Sequence, residues 1–340
     1  MISKSRLIKT LGPLGGYALI RWLMRKQPRI LMYHRFSAKP KANCVSADVF
    51  EQQLIYLKKH FNVISLSTLR ECREHGKQTP RNSVVLTVDD GYRDFYTVAF
   101  PLLKKHEVPA TLFVTSGFID QELWLWPDKI TWLLANAEYI PEGIALDERA
   151  LGVCEVDSVS RPLLWNKIVG YLLSISDNGK HVWIEKFSEI LKLKLPLLPP
   201  NDFQACSWQE LDKMQRHGTE IGGHTHTHPS LGKVPSKQLH YEIQHCKALI
   251  DKNLGEKGRD FCFPNGQPND YTEKTKAKVR EVGFRSSVTA FYDKFALEDL
   301  YEMRRHVGAE ENFQFWKSVN GVEAMMAKLT GANNVSTKNY

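Results

Sequence analysis

Two short runs carry residues able to do chemistry. Asp89-Asp90-Gly91-Tyr92 supplies adjacent carboxylates, and His224-Thr225-His226-Thr227-His228-Pro229 supplies imidazoles at i, i+4. Alone, an Asp-Asp-Gly is usually a solvated turn and a histidine-rich run an exposed loop. Together they can build one mononuclear metal centre with a spare acid. If one carboxylate ligates the metal, its neighbour, pointing elsewhere, can act as a base toward water held there. In a turn of helix His224 and His228 share a face while His226 points away, so His226 is given no role. Zinc and similar borderline metals accept such a His/carboxylate set.

The flanking sequence explains how the runs could meet. Ser83-Val84-Val85-Leu86-Thr87-Val88 is apolar and β-branched, the pattern of a strand buried on both faces of a parallel sheet. Thr219 to Gly223 is a shorter strand-like stretch. Both runs then stand at carboxyl ends of strands, the edge where α/β proteins collect their ligands. Other strands are expected at Arg29 to Tyr33, Asn62 to Ile64, Ala110 to Val114, Phe261 to Phe263, Ser286 to Thr289 and Glu302 to Val307. Helices are expected around Phe50 to Phe61, Phe95 to His106 and Ser236 to Leu254, and from a capping box at Ser207-Trp208-Gln209-Glu210. A last helix is expected over about 311–330. Repeated β-then-α order argues a parallel, nearly closed sheet.

At these positions the chain resembles the polysaccharide deacetylases, the NodB-homology group or carbohydrate esterase family four. TVDDGY is similar to the family's TFDDG motif, HTHTHP to its H-S/T-x-x-H-P motif, and Phe261-Cys262-Phe263-Pro264-Asn265-Gly266 to its third motif. The segments Ile30 to Arg35, Val108 to Val114 and Gly283 to Thr289 agree, so the resemblance spans roughly residues 29–310. It implies an α/β fold, a distorted (β/α) barrel of about seven parallel strands. It implies one divalent metal ion, zinc first, with cobalt, nickel or manganese as alternatives, held by Asp90, His224 and His228. It further implies that Asp89 is the base and that an N–H of the Pro264-Asn265-Gly266 turn stabilises the oxyanion.

The sequence departs from the family in two places. The third motif usually carries an Arg where this chain has Cys262, and the late Leu-x-Leu-His motif that supplies the acid has no clear copy. Arg304 or Arg305 is expected to orient Asp89 instead, and His306 or His34 to donate the proton. The competing expectation is that His34 is packed under the rim and His306 lies on a strand surface.

With 340 residues, 42% hydrophobic and 25% charged, the chain has ample material for a core. Its formal charge of +8 is spread out and accompanied by no nucleic-acid signature, so nucleic acid is excluded as a partner. A carbohydrate substrate is expected: an N-acetylated glycan or a lipid-linked saccharide in exopolysaccharide assembly. A deformylase acting on a lipid-linked amino sugar and a metal-containing glycan-binding module are the alternatives. Residues 1–28 form a basic, apolar segment too short to span a bilayer and lacking a cleavage site. That points to the cytoplasm, with peripheral contact at the inner membrane through Leu19, Ile20, Trp22, Leu23 and Met24. Six dispersed cysteines suit a reduced compartment. Residues 119–201 break the alternation and read as a helical insertion with a hairpin at 146–156, overhanging the rim. There Trp124, Trp126 and Trp132 either stack on sugar or, by preference, fill the insertion's own core. The barrel is thus discontinuous, 29–118 and 202–310, and 331–340 reads as a disordered tail.

Overall fold

The computed structural model describes residues 12–140, 161–293 and 296–330. Strands β1 (Arg29–Tyr33), β2 (Asn62–Val63), β3 (Ser83–Val88), β4 (Thr111–Val114), β5 (Glu220–Gly223), β6 (Phe261–Cys262), β7 (Ser287–Val288) and β8 (His306–Val307) form one parallel sheet. Its main path is β8-β1-β3-β4-β5-β6-β7, with β2 flanking the first half of β3. The sheet curls, and residues 300–307 bridge its two ends. Met303 exchanges backbone hydrogen bonds with β7, while His306 and Val307 pair with Leu31 and Met32 of β1. This is the distorted barrel expected from the resemblance. The continuous strand expected at Glu302 to Val307 is instead split, because its first half serves β7 and its second half β1.

Period-two alternation sorts the side chains. Leu31, Tyr33, Val84, Leu86, Val88, Leu112, Val114 and Ile221 face outward, against a layer of helices. The layer they meet comes chiefly from α2 (Ala47–His60), α4 (Phe100–His106), α8 (Trp208–Arg216) and α9 (Ser236–Leu254). Ile30, Val85, Phe113, Cys262, Val288 and Met303 face inward, plugged from below by Leu66 and Leu69 of α3 (Leu66–Glu74). The same alternation aims Thr87 and Asp89 inward and His306 outward.

α8 opens on the expected capping box, Ser207 with Glu210, and α9 stops at Gly255 with φ 78°. The single helix expected over 311–330 is broken into α11 (Asn312–Val319) and α12 (Val322–Thr330) at Gly321, whose φ of 86° a continuing helix cannot adopt. Between β4 and α8, helices α5 (Trp126–Asn136), α6 (Arg161–Leu172) and α7 (Asp177–Ile190) pack around their own apolar cluster. Trp126 lies in that cluster, Trp132 borders it, and Trp124 packs with Tyr92, Phe118 and Leu125. These tryptophans serve the interior, as the preferred expectation had it. The hairpin at 146–156 and the tail 331–340 lie outside the described residues. Two further helices are α1 (Tyr17–Leu23) and α10 (Glu273–Glu281).

Candidate active site

β3 ends at Val88 and the chain turns at once. Asp90 has φ 78° and Gly91 φ 92°, both left-handed. A Cβ at Gly91 would meet Ile119 Cδ1 at 2.9 Å, so only glycine lets the turn pack this closely. The turn points Asp89 into the barrel mouth and Asp90 sideways toward the loop after β5. That loop is irregular, which corrects the expected helical turn: Thr225 and His228 have φ of 67° and 63°. It is held by Glu242 of α9, whose buried carboxylate accepts the backbone N–H of His226 (2.9 Å) and Thr227 (2.8 Å) and the Thr227 hydroxyl (2.6 Å). Thr225 Oγ1 accepts the His228 N–H at 3.0 Å.

Thus posed, His224 Nε2 and His228 Nε2 lie 3.3 and 3.4 Å from one oxygen of Asp90, and all three residues are buried. One donor atom from each falls within 4.8 Å of the others. His224 Nδ1 is 2.8 Å from the Cys262 carbonyl, so it donates there, and Nε2 is the nitrogen turned to Asp90. Among the described residues no Lys or Arg forms an ion pair with Asp90. Burial alone would raise its pKa, but hydrogen bonds from the two imidazoles hold it well below the usual carboxylate range. A buried carboxylate facing only imidazoles is an environment that calls for a cation. The donor set fits a divalent metal ion.

Asp89 is neutralised differently. Arg305, fully buried, donates from Nη1 to Oδ1 at 2.7 Å and from Nη2 to Oδ2 at 2.6 Å. Its Nη1 also reaches Thr87 Oγ1 (3.0 Å) and its Nε the Thr289 carbonyl (2.5 Å). Burial works to raise the Asp89 pKa, yet Arg305 overcomes it and keeps the carboxyl below its ordinary value. Cys262 lies against this pair, Sγ 3.1 Å from Arg305 Nη2, and burial raises its thiol. Asp89, His224 and Cys262 also cluster closely enough for a metal. With Asp89 committed to Arg305 and the thiol protonated, that set is the poorer one.

The other expected residues separate cleanly. His34, on the rim and 32% exposed in its side chain, places Nε2 3.7 Å from Asp89 Oδ2. His306 does not approach Asp89. It points out of the barrel, stacks on Tyr292 and hydrogen-bonds Glu323 at 2.7 Å, a correction that follows from its being one residue beyond inward-facing Arg305. Arg304 is likewise spent on Asp293 and Glu302. In the turn after β6, Pro264 has no N–H and the Gly266 N–H donates to the Pro264 carbonyl at 2.6 Å. Asn265, between them, has a left-handed backbone with φ 58°. His226 is structural, bonded to Ser116 and edge-on to His245.

Sequence reasoning missed two residues. Glu242 interrupts the buried stripe Leu239, Ile243, Cys246 of α9, and an acid at an apolar position was the available signal. Asp128 of α5 accepts the Tyr92 hydroxyl at 2.7 Å and faces Arg35, tying the insertion to the Asp89-Asp90 turn. Burial pushes its carboxyl up to about 7.

The polysaccharide deacetylase family profile matches residues 76–287. The chain is 34% identical over 118 residues to the poly-β-1,6-N-acetyl-D-glucosamine N-deacetylase of Escherichia coli K12, covering 34% of this chain and 16% of that protein. It is 34% identical over 87 residues to the protein so named in Staphylococcus aureus N315, covering 25% of this chain and 30% of that protein. The chain thus spans under a third of these relatives' length. Among solved structures, IcaB from Ammonifex degensii superposes with a TM-score of 0.56 at 19% identity, over 86% of this chain and 97% of that one. The Streptococcus pyogenes deacetylase PplD with acetate gives 0.55 at 19%, over 83% and 92%. These two share the fold.

Proposed function

Since the chain belongs to the polysaccharide deacetylase family, hydrolases of carbon–nitrogen bonds, we propose that it removes N-acetyl groups from an N-acetylhexosamine glycan. The curated relatives' names point to a poly-β-1,6-N-acetylglucosamine-like polymer as the first substrate to try. The observation that carries this reading is the Asp89–Arg305 pair beside the Asp90, His224, His228 cluster.

Asp90, His224 and His228 would hold the ion, with zinc, cobalt, nickel and manganese all compatible with the donors. When bound, it would polarise the acetyl carbonyl and acidify water. Asp89, kept ionised and aimed by the Arg305 fork, takes the proton as a water oxygen bonds to the carbonyl carbon. A backbone N–H of the Pro264-Asn265-Gly266 turn is assigned to the oxygen that gains charge. The C–N bond then breaks and the sugar nitrogen leaves as an amine once protonated, acetate being the other product. His34 is the donor for that step, because it stands beside Asp89 on the open rim while His306 is sealed on the far side of the sheet. Turnover is favoured over mere glycan binding because Arg305 restores the partner that Cys262 cannot provide. Purified protein incubated with poly-N-acetylglucosamine oligosaccharides and, separately, a lipid-linked saccharide should release free amine and acetate together. Metal content should scale with rate, and stoichiometric metal with no amine release from any N-acetylated glycan would overturn the reading.

A further inference from the structure

α1 presents two opposite faces. Tyr17 is buried, and Ile20 and Met24 pack with Tyr292, Ala324 and Ala327. Arg21 turns inward to Tyr56 (3.3 Å) and Asn320 (2.9 Å). On the other side Leu19, Trp22 and Leu23, at i, i+3, i+4, are 60%, 57% and 54% exposed. Arg25 lies over the Trp22 ring at 4.4 Å. The surrounding sequence has one sign of charge: residues 1–28 contain Lys4, Arg6, Lys9, Arg21, Arg25 and Lys26, and the first acidic residue of the chain is Asp48. A helix anchored on one side, with an aromatic and two leucines on the other, Arg25 over the aromatic and a flanking sequence rich in cations, matches an anionic lipid surface. It does not match a second copy of itself, since the cations would face one another. No helix among the described residues is long and apolar enough to cross a membrane.

The position of α1 fixes an orientation. It leads into the amino end of β1, and the Arg25 carbonyl accepts the N–H of Asn82, the residue just before β3. The Asp89-Asp90 turn lies at the opposite, carboxyl end of that strand. We infer that α1 seats the barrel on an anionic phospholipid surface with the carboxyl-end rim turned away from it. Resting on the proposed deacetylation, this orientation directs the site to glycan extending beyond the headgroups, not to a sugar lying against the lipid phosphate.

Cosedimentation of the full chain with phosphatidylcholine vesicles, with and without phosphatidylglycerol, tests the inference. Binding should require phosphatidylglycerol and weaken with salt. Leu19→Glu/Leu23→Glu should reduce it about tenfold or more while leaving amine release from a soluble oligosaccharide unchanged. Absence of binding, equal binding to both vesicle types, or a variant that binds like the parent would each overturn the inference. So would loss of a concentration-dependent dimer in the variant in place of lost vesicle binding. A second exposed pair, Leu197 and Leu198, lies in the insertion just after Leu195, which packs toward Tyr92 on the rim side. If Leu197→Glu/Leu198→Glu abolishes vesicle binding, the orientation is refuted. Soluble amine release, followed in every arm, keeps these results separate from failure of the deacetylase reading.

Discussion

Arg305 and Asp89, separated by 216 positions in the chain, meet as a buried two-pronged ion pair with N–O distances of 2.7 and 2.6 Å. Two parallel hydrogen bonds fix the direction of a carboxylate as well as its charge. The base proposed for Asp89, which must face one water molecule, needs both.

Replacing Asp89 by Asn should abolish amine release by several orders of magnitude and leave metal content intact, because the cation donors are other residues. Elemental analysis beside an amine assay measures both. Undiminished turnover would remove Asp89 from the mechanism.

The pH profile should report Arg305. Burial pushes Asp89 upward and Arg305 reverses that push, so the native carboxyl ionises below the ordinary value of about 3.9. Arg305→Met leaves burial unopposed, and the acidic limb of kcat/KM should move to higher pH. Stranding a buried charge should also cost about 3–5 kcal/mol, so Arg305→Lys, which keeps the charge and loses the fork, is the companion variant. It should fold and show kcat reduced by up to about a hundredfold.

Asp89 and Asp90 are both held below the ordinary carboxylate range, so both bind protons more weakly folded than unfolded. Their stabilising contribution is complete above a pH of about 4 and disappears as pH falls through the lower folded-state values. Acid unfolding of the metal-free protein should show this loss, and Asp89→Asn should lessen it. An acid limb identical in parent and variant would contradict the assignment.

The two histidine candidates for proton donor separate by kinetics. His34→Gln should lower kcat by about 10²–10⁴-fold with little effect on thermal stability. His306→Gln should do the reverse, because it removes the shortest of the contacts to buried Glu323, which keeps Gln314 and Lys317, and touches nothing at the rim. A kinetic defect confined to His306→Gln would reverse these roles.

Glu242→Gln should weaken metal affinity by about 10–100-fold while helix content stays unchanged, because the carboxylate anchors the backbone that presents His224 and His228. Competition with a chelator would measure it.

Much of this was legible beforehand. The strand at Ser83 to Val88 announced itself by its β-branched, largely apolar run, and the residues just beyond it had to stand at its carboxyl end. His224, His228 and Asp90 could be grouped because their side chains have few other reasons to recur together. What sequence could not decide was which neighbour faces inward. Arg304, Arg305 and His306 are consecutive, and a strand throws alternate residues to opposite sides, so one step of register separates a positioning group from two outward ones. Register here depends on how residues 300–307 divide between β7 and β1, a long-range outcome no local pattern encodes. The loop bearing His224 looked helical from spacing alone. Its actual path is set by Glu242, which lies on a different helix.

Residues 300–307 both stitch the curled sheet into a ring and carry Arg305. Loosening of that carboxyl-terminal hem should therefore withdraw Arg305 and raise the proton affinity of Asp89 while the remaining strands stay paired.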